Sequence, residues 1–408
     1  MTAISAVEFL IWLLMAASAI AVLAKRARIP YTVALVLGGV LLSLLRLPLL
    51  SPLQASQRPN WLTPDIILIL FLPGLVFEGS LKISLRDLLH DLGPLLLLAN
   101  AGVVLAMFVT GYIVHWAIGL PLMVALLFGA IISATDPISV LAIFQDLRMD
   151  KRLSVIIAGE SLMNDGTAVV LFGILLGGIV AGKLSVLNGL GQFLLAVLGG
   201  AGLGFLFGFL ASKATRTVDD PQVEITLTTI VAYGSYLLAS HLHLSGVIAT
   251  ATAGLVVGNI GRGGMSDRTR TALESFWEYL AFVMNSVIFL LIGLEVHIGA
   301  LLHSWAPVLL AIGAVLAGRV FTVYTLVPIS NLFAEKIPLR WQHVIVWGGL
   351  RGALALALAL SLDNSFPNRD RVLDLAFGVV IFSILIQGLT MKPLLRLLGL
   401  ANERAAAR

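Results

Sequence analysis

Thirteen stretches of about twenty mostly apolar residues follow one another along this 408-residue chain. They lie at about 5–24, 31–50, 62–81, 93–116, 121–144, 153–180, 187–212, 222–240, 244–261, 272–295, 305–328, 342–362 and 372–395. Only 12% of the residues are charged and 59% are hydrophobic, which is too apolar for soluble domains. The sequence therefore predicts an all-α polytopic membrane protein with about 13 transmembrane helices.

The positive charges predict the orientation of these helices. With the N-terminus outside, nineteen of the 26 Lys and Arg residues fall in inside loops, five in outside loops and two within spans. Cytoplasmic loops carry the excess of Lys and Arg, so we expect an outside N-terminus and a cytoplasmic C-terminus. Scattered basic loops argue against nucleic-acid binding. The absence of cysteine excludes thiolate metal sites and cysteine nucleophiles.

Two spans that run in opposite directions are interrupted near their middles. The fifth is broken at Asp136–Pro137, and the twelfth contains Gly348, Gly349 and Gly352. Proline has no N–H, so it frees a carbonyl one turn earlier, and Asp136 can cap a second half-helix that begins at Pro137. Interrupted helices in matching halves indicate a transport site at the bilayer midplane, although Pro and Gly are also common in membrane helices.

Ionisable residues within the spans are the candidate functional groups, because a charge at membrane depth costs about 2.5–3.5 kcal/mol on insertion scales. They are Asp136, Glu160, Asp165, Arg319 and Arg351, with Glu78 near the inside end of the third span. Glu78 either draws cations toward the site or is a solvated helix-end residue. Carbonyl groups unwound near Asp136 are tolerated at this depth where they line a cavity.

The sixth span gathers the richest set of polar side chains. Glu160 and Asn164 are four residues apart, as are Ser161 and Asp165, so all four lie on one broad helical face. Their oxygen atoms suit a hard cation such as sodium, and a structural polar network is the alternative. An arginine beside Glu160 would keep it ionised and leave Asp165 as the titrating carboxylate. The residues alone do not decide between the two buried arginines.

Together these residues resemble the NhaP-type sodium/proton antiporters of the monovalent cation/proton antiporter superfamily, relatives of the animal sodium/proton exchangers. The resemblance covers nearly the whole chain. The matching motifs are Thr135-Asp136-Pro137, the run from Gly159 to Gly166, Gly318-Arg319, and the run from Gly348 to Gly352. The resemblance implies inverted repeats with two broken, crossing helices, as in the NhaA-like antiporter fold.

The same resemblance implies how the chain is divided and where it works. A core domain would comprise 93–180 and 305–395, and a dimerisation domain 1–92 and 222–295, with 187–212 as a linker helix and 396–408 as a short cytoplasmic tail. We expect a homodimer in the plasma (inner) membrane of a prokaryote, with no cofactor beyond the transported ions.

The resemblance further implies site roles. Asp165 would be the main carrier of cation and proton, completed as a sodium site by Asp136, Ser161 and the Thr135 carbonyl. Glu78 would approach it from the cytoplasmic side. Glu160 would form a salt bridge with an arginine, assigned first to Arg319 and second to Arg351. Asn164 stands where the electrogenic branch has a second aspartate, which implies electroneutral exchange.

The expected function is exchange of sodium, or lithium, for protons by alternating access, with both ions competing for Asp165. There are three alternatives. A potassium/proton antiporter would share the fold. A cation channel is less favoured because the offset carboxylates do not form a pore ring. An intramembrane hydrolase using Ser161 or Ser133 has no histidine nearby, so we expect no enzyme.

Overall fold

A computed structural model describes residues 3–27, 29–45, 64–183, 185–215, 219–296 and 298–401. Within these ranges every regular element is a helix. The α-helices are α1 (Ala3–Ala27), α2 (Tyr31–Leu45), α3 (Pro64–Leu70), α4 (Leu72–Leu81), α5 (Leu85–His90), α6 (Leu92–Leu96), α7 (Val103–Ile118), α8 (Leu122–Ile131), α9 (Ile138–Leu147), α10 (Lys151–Ala181), α11 (Val186–Ala214), α12 (Pro221–His241), α13 (Gly246–Asn259), α14 (Asp267–Leu294), α15 (Ile298–His303), α16 (Trp305–Ser330), α17 (Leu339–Gly348), α18 (Ala353–Leu360), α19 (Arg369–Phe382) and α20 (Gly388–Leu397). π-Helical turns at Leu97–Gly102 and Ser383–Gln387 make α6–α7 and α19–α20 continuous, and a 3-10 turn occupies Gly261–Gly264.

In the part of the chain that the structure describes, nine helical runs are long and apolar enough to cross a membrane. The predicted all-helical membrane protein is therefore confirmed. Each of the thirteen predicted stretches overlaps a helix or a pair of broken helices. The third and fifth stretches form helices shorter than a full span because the chain is interrupted within them. Residues 46–50, 62–63 and 402–408, which belong to the predicted second span, third span and tail, lie outside the described residues.

Polar caps mark the ends of several helices. Asp150 accepts hydrogen bonds from the backbone N–H groups at the start of α10, and Asp220 does the same for α12, where Pro221 occupies the first helical position. A proline there loses nothing, because the first N–H groups of a helix have no intrahelical partner. Gly182 ends α10 in the left-handed conformation, at φ 65°. The long helix α10 is thus fixed at both ends by its sequence.

Three interruptions divide the spans. Residues 132–137 separate α8 from α9, and residues 349–352 separate α17 from α18. The third, at Phe71 between α3 and α4, was not predicted. Its cause is Pro73 in the first turn of α4, which cannot donate a hydrogen bond to the preceding turn.

Glycines let α13 pack backbone to backbone between α11 and α4. On one side, a Cβ at Gly204 of α11 would lie 2.1 Å from the carbonyl oxygen of Ala249. On the other side Gly254 and Gly258, four residues apart, face α4, and a Cβ at Gly258 would lie 2.3 Å from the carbonyl oxygen of Leu81. Small residues at such spacing bring membrane helices into close van der Waals contact.

We expect Gly204→Ala to lower the stability of the protein by about 1–3 kcal/mol, because the new methyl group has no room beside α13. Gly202→Ala is the matched control, since a Cβ at this position of the same helix meets no other atom within 4 Å. Thermal unfolding of both purified variants in detergent measures the difference. Equal melting temperatures would show that the α11–α13 contact is looser than described.

Candidate functional site

The unwound segment of the fifth span is held by hydrogen bonds to the twelfth. The Asp136 N–H donates to the Leu350 carbonyl at 2.7 Å. The Ser133 carbonyl, which the proline frees, accepts a hydrogen bond from Arg351 Nη1 at 2.8 Å. A Cβ at Gly352 would lie 2.4 Å from Asp136 Cβ, so only glycine permits this approach. The two interruptions therefore meet at one point.

Asp136 also begins the second half of its own span. Its Oδ1 accepts a hydrogen bond of 3.0 Å from the Ile138 N–H. The helix α9 starts at Ile138, one residue later than the predicted start at Pro137. This small difference arises because Pro137, at φ −86° and ψ −5°, is the flanking residue of the helix. The aspartate is thus both a cap and a carboxylate available to a ligand.

Thr135 is bonded to α10 through all three of its polar groups. Its N–H donates to Asp165 Oδ1 at 3.2 Å. Its carbonyl accepts from Ser161 Oγ at 2.6 Å, and its hydroxyl accepts from Asn164 Nδ2 at 3.1 Å. The predicted residues of the fifth and sixth spans are therefore in direct contact. In this conformation the Thr135 carbonyl has one lone pair engaged by Ser161.

Asn164 carries a buried oxygen atom without a partner. Its Oδ1 makes no hydrogen bond with any described residue, and the side chain is 1% exposed. A buried amide oxygen left unpaired costs free energy, about 1–3 kcal/mol. A donor that reaches this oxygen would remove that cost.

Glu160 and Arg319 form a buried, two-pronged ion pair. Arg319 Nη1 donates to Glu160 Oε1, and Nη2 donates to Oε2 at 2.8 Å. The same guanidinium group donates to the Ile345 carbonyl from Nε at 3.3 Å and from Nη2 at 3.0 Å. A Cβ at Gly349 would lie 2.8 Å from Arg319 Nε, so the glycine leaves room for the pair.

Arg351 does not contact Glu160, in contrast to the expected alternative. It is 4% exposed and donates to the Ser133 and Ala134 carbonyls, while its own N–H donates to Ser383 Oγ at 2.8 Å. It makes no ion pair with any residue in the described ranges. The reason is the proline in the facing span, which exposes carbonyl oxygens that a guanidinium group can satisfy.

A cavity of about 650 Å³ leads to this site. Thr135, Asp136, Ser161, Asp165 and Glu78 all line it. Asn164, Glu160 and Arg319 are not among its lining residues. Seven of the nine predicted site residues thus fall into two groups: five line the cavity, and Glu160 and Arg319 form the buried ion pair. Of the other two, Arg351 joins the broken spans and Asn164 donates a hydrogen bond to Thr135.

The cavity wall also includes polar residues that the sequence analysis missed. These are Tyr31 at the start of α2, Asn285 and Glu278 on α14, and Lys82 directly after α4. Asn285 was detectable as an amide within a long apolar run, whereas Tyr31 and Lys82 sit where ordinary interfacial residues occur.

These features define a multi-pass membrane protein whose polar site lies where the interruptions of two broken helices meet. Over residues 13–397 the sequence matches the family described as "Sodium/hydrogen exchanger, transmembrane". The chain belongs to this family.

Several named relatives are similar over most of the chain. The "Na(+)/H(+) antiporter ApNhaP" of Aphanothece halophytica is 42% identical over 386 residues, which cover 93% of this chain and 72% of that protein. The "Na(+)/H(+) antiporter NhaH" of Halobacillus aidingensis is 39% identical, with 97% and 98% covered. The solved structure of the sodium proton antiporter MjNhaP1 from Methanocaldococcus jannaschii at pH 8 has the same fold, with a TM-score of 0.80, 22% identity, and 97% and 99% covered.

We expect Arg319→Met to destabilise the protein by about 3–5 kcal/mol, because it leaves the Glu160 carboxylate buried without a counter-charge. The double variant Glu160→Leu/Arg319→Met should regain most of that stability, since it removes both charges. Thermal unfolding of the two variants and the parent protein gives the comparison. A double variant no more stable than Arg319→Met would contradict the role of the ion pair.

Proposed function

We propose that this protein exchanges sodium ions for protons across the membrane and that the two ions compete for Asp165. One observation carries the proposal: the Asp165 carboxylate lines a cavity together with Asp136 and Ser161. Relatives that are 36–42% identical over most of this chain are named Na(+)/H(+) antiporters, which supports the choice of ions.

The chemistry of the site favours exclusive occupancy. In surroundings poor in water, an ionised carboxylate needs a counter-charge, and either a proton or a sodium ion supplies it. We propose that sodium is held by the carboxylates of Asp165 and Asp136, the Ser161 hydroxyl and the Thr135 carbonyl. Ser161 donates its hydrogen to Thr135, so its oxygen lone pairs stay available to a cation.

The buried ion pair explains which of the two neighbouring carboxylates is used. Glu160 is already matched by Arg319, so it has no need of a transported cation. Asp165, five residues later on the same helix, accepts only a backbone hydrogen bond from Thr135 among the described residues. We therefore assign the carrier role to Asp165 and a structural role to the Glu160–Arg319 pair.

Alternating access needs two parts of the molecule that can move relative to each other. We propose a core domain of residues 93–180 and 305–395 and a dimerisation domain of residues 1–92 and 222–295, linked by 187–212. The hydrogen bonds between the broken spans and the Glu160–Arg319 pair all lie within the core ranges, which supports this division. The cavity lies between the site and residues of α2, α4 and α14, at the boundary between the two proposed domains.

The finer membrane arrangement is part of the same proposal. We propose thirteen crossings in an NhaA-like inverted repeat, an outside N-terminus, a homodimer and a location in the plasma membrane. The distribution of Lys and Arg among the loops supports the orientation. Glu78, which lines the same cavity as Asp165, is proposed to guide cations from the cytoplasmic side toward that carboxylate.

Asp165→Asn should abolish sodium-driven proton flux, because the amide can neither release a proton nor offer a negative charge to sodium. The variant keeps an oxygen that can accept the Thr135 N–H, so the fold should survive. Asp146→Asn, an exposed aspartate at the end of α9, is the matched control and should retain full flux. The assay is the internal pH change of proteoliposomes after addition of sodium. Near-normal flux in Asp165→Asn would refute the assignment.

We further expect electroneutral exchange, because Asn164 leaves one titrating carboxylate at this position of α10 instead of two. For each of sodium, lithium and potassium, the proton flux should then be the same whether the membrane potential is clamped or unclamped. Among the three cations, sodium or lithium should drive a larger pH change than potassium. A dependence on potential would contradict one-for-one exchange. A larger response to potassium would identify a potassium/proton antiporter, and ion conduction without proton coupling would identify a channel.

A further inference from the structure

Among the residues that line the cavity, one lysine lies between two carboxylates. Lys82 Nζ is 2.6 Å from Glu78 Oε1 and 2.9 Å from Glu278 Oε1. Glu78 lies one turn earlier on α4, whereas Glu278 belongs to α14. All three residues line the cavity that leads to Asp165. The ammonium group is therefore the cation that occupies Glu78 in this structure.

The two carboxylates differ in their contact with water. The side chain of Glu78 is 16% exposed, whereas Glu278 is 59% exposed and Lys82 is 46% exposed. A carboxylate that is largely withdrawn from water depends on a nearby positive charge, and one that is mostly hydrated does not. Glu78 is thus the partner that needs a cation, and Glu278 is a second position to which the ammonium can move.

We propose that the Lys82 ammonium is a tethered competitor of the transported cation at Glu78, and that Glu278 holds the ammonium while the cation occupies Glu78. This inference rests on the proposed function and deepens it, because it assigns a residue that sets the apparent affinity for sodium. Lys82 is a positioning residue in this scheme, since it acts through Glu78 and does not touch the carrier Asp165.

The exchange requires no movement of the backbone. A lysine side chain is flexible and carries a compact charge that can be shared between two acceptors. Glu78 has a positive partner both before and after the cation arrives, so its charge is never left uncompensated. Partial burial lowers the pKa of Lys82, but the hydrogen bonds and charges of Glu78 and Glu278 outweigh it and leave that pKa above the ordinary lysine value. The competitor therefore stays charged in neutral and moderately alkaline solution.

A second ion pair on the same cavity provides the matched control. Lys151 Nζ is 2.6 Å from Asp87 Oδ2, and both residues line the cavity. Lys151 forms no ion pair with Glu78. Replacing Lys151 removes one positive charge from the cavity rim, just as replacing Lys82 does, but leaves Glu78 with its lysine. If the lysines act only through a general effect of charge on cation approach, both variants should change the KM for sodium. If Lys82 competes directly at Glu78, only the Lys82 variant should change it.

The test compares the apparent KM for sodium and the maximal rate of proton flux in proteoliposomes. We expect Lys82→Met to lower the KM about twofold to fivefold, the range set by measured ion pairs of similar exposure, with the maximal rate unchanged. Glu278→Gln should raise the KM, because the ammonium then has only Glu78 as its partner. Lys151→Met should leave the KM unchanged. In a Glu78→Gln background, Lys82→Met should have no further effect on the KM.

Several results would overturn the inference. An unchanged or higher KM in Lys82→Met would do so, and so would an equal fall of the KM in Lys82→Met and Lys151→Met. If Lys82→Met does not fold, Lys82→Arg and Glu278→Gln decide: the arginine variant should keep the KM within about twofold, and the glutamine variant should raise it. A parent protein that shows no sodium-dependent proton flux would refute the proposed function itself, which is a different outcome from normal flux with an unaltered KM.

Discussion

The arrangement of the site depends on the need to satisfy backbone groups inside an apolar medium. A carbonyl exposed by a proline has no water to bind at this depth, so another part of the protein must supply a donor. Arg351 supplies it to Ser133, and the Leu350 carbonyl accepts the Asp136 N–H in return. Each broken span thus meets the needs of the other. The unwound segments can exist only as a pair, and they bring Asp136 to the site as a consequence.

The need to pair buried polar groups also gives two carboxylates on α10, Glu160 and Asp165, different roles. Behind the cavity, Glu160 is fully matched by a guanidinium group that also binds a backbone carbonyl. At the cavity, Asp165 has no cationic side chain of its own in the described part of the chain and depends on what arrives from outside. A protein that left both unmatched would pay a large desolvation cost, and one that matched both would have no vacancy for an ion.

Much of this could be predicted from the sequence, because the bilayer makes apolar length and buried charge unusually informative. The helical stretches, the interruptions at Asp136–Pro137 and near Gly349, and the cluster from Glu160 to Asp165 all stand out against apolar surroundings. The hydrogen-bonding partner of each buried arginine could not be predicted from the residues, because it depends on how spans distant in sequence rotate and approach each other. The Phe71 interruption and the lysine between two glutamates also escaped, because prolines and charges near helix ends have many ordinary causes.

Thr135 is tied to α10 by its amide, its carbonyl and its hydroxyl at once. Such triple attachment means that the loop and the helix cannot slide past each other without losing every one of these bonds. Any displacement of the one must carry the other along as a single rigid unit. An ion bound between them would keep the same ligands while the unit moves. Only the side of the membrane to which the site is open would change.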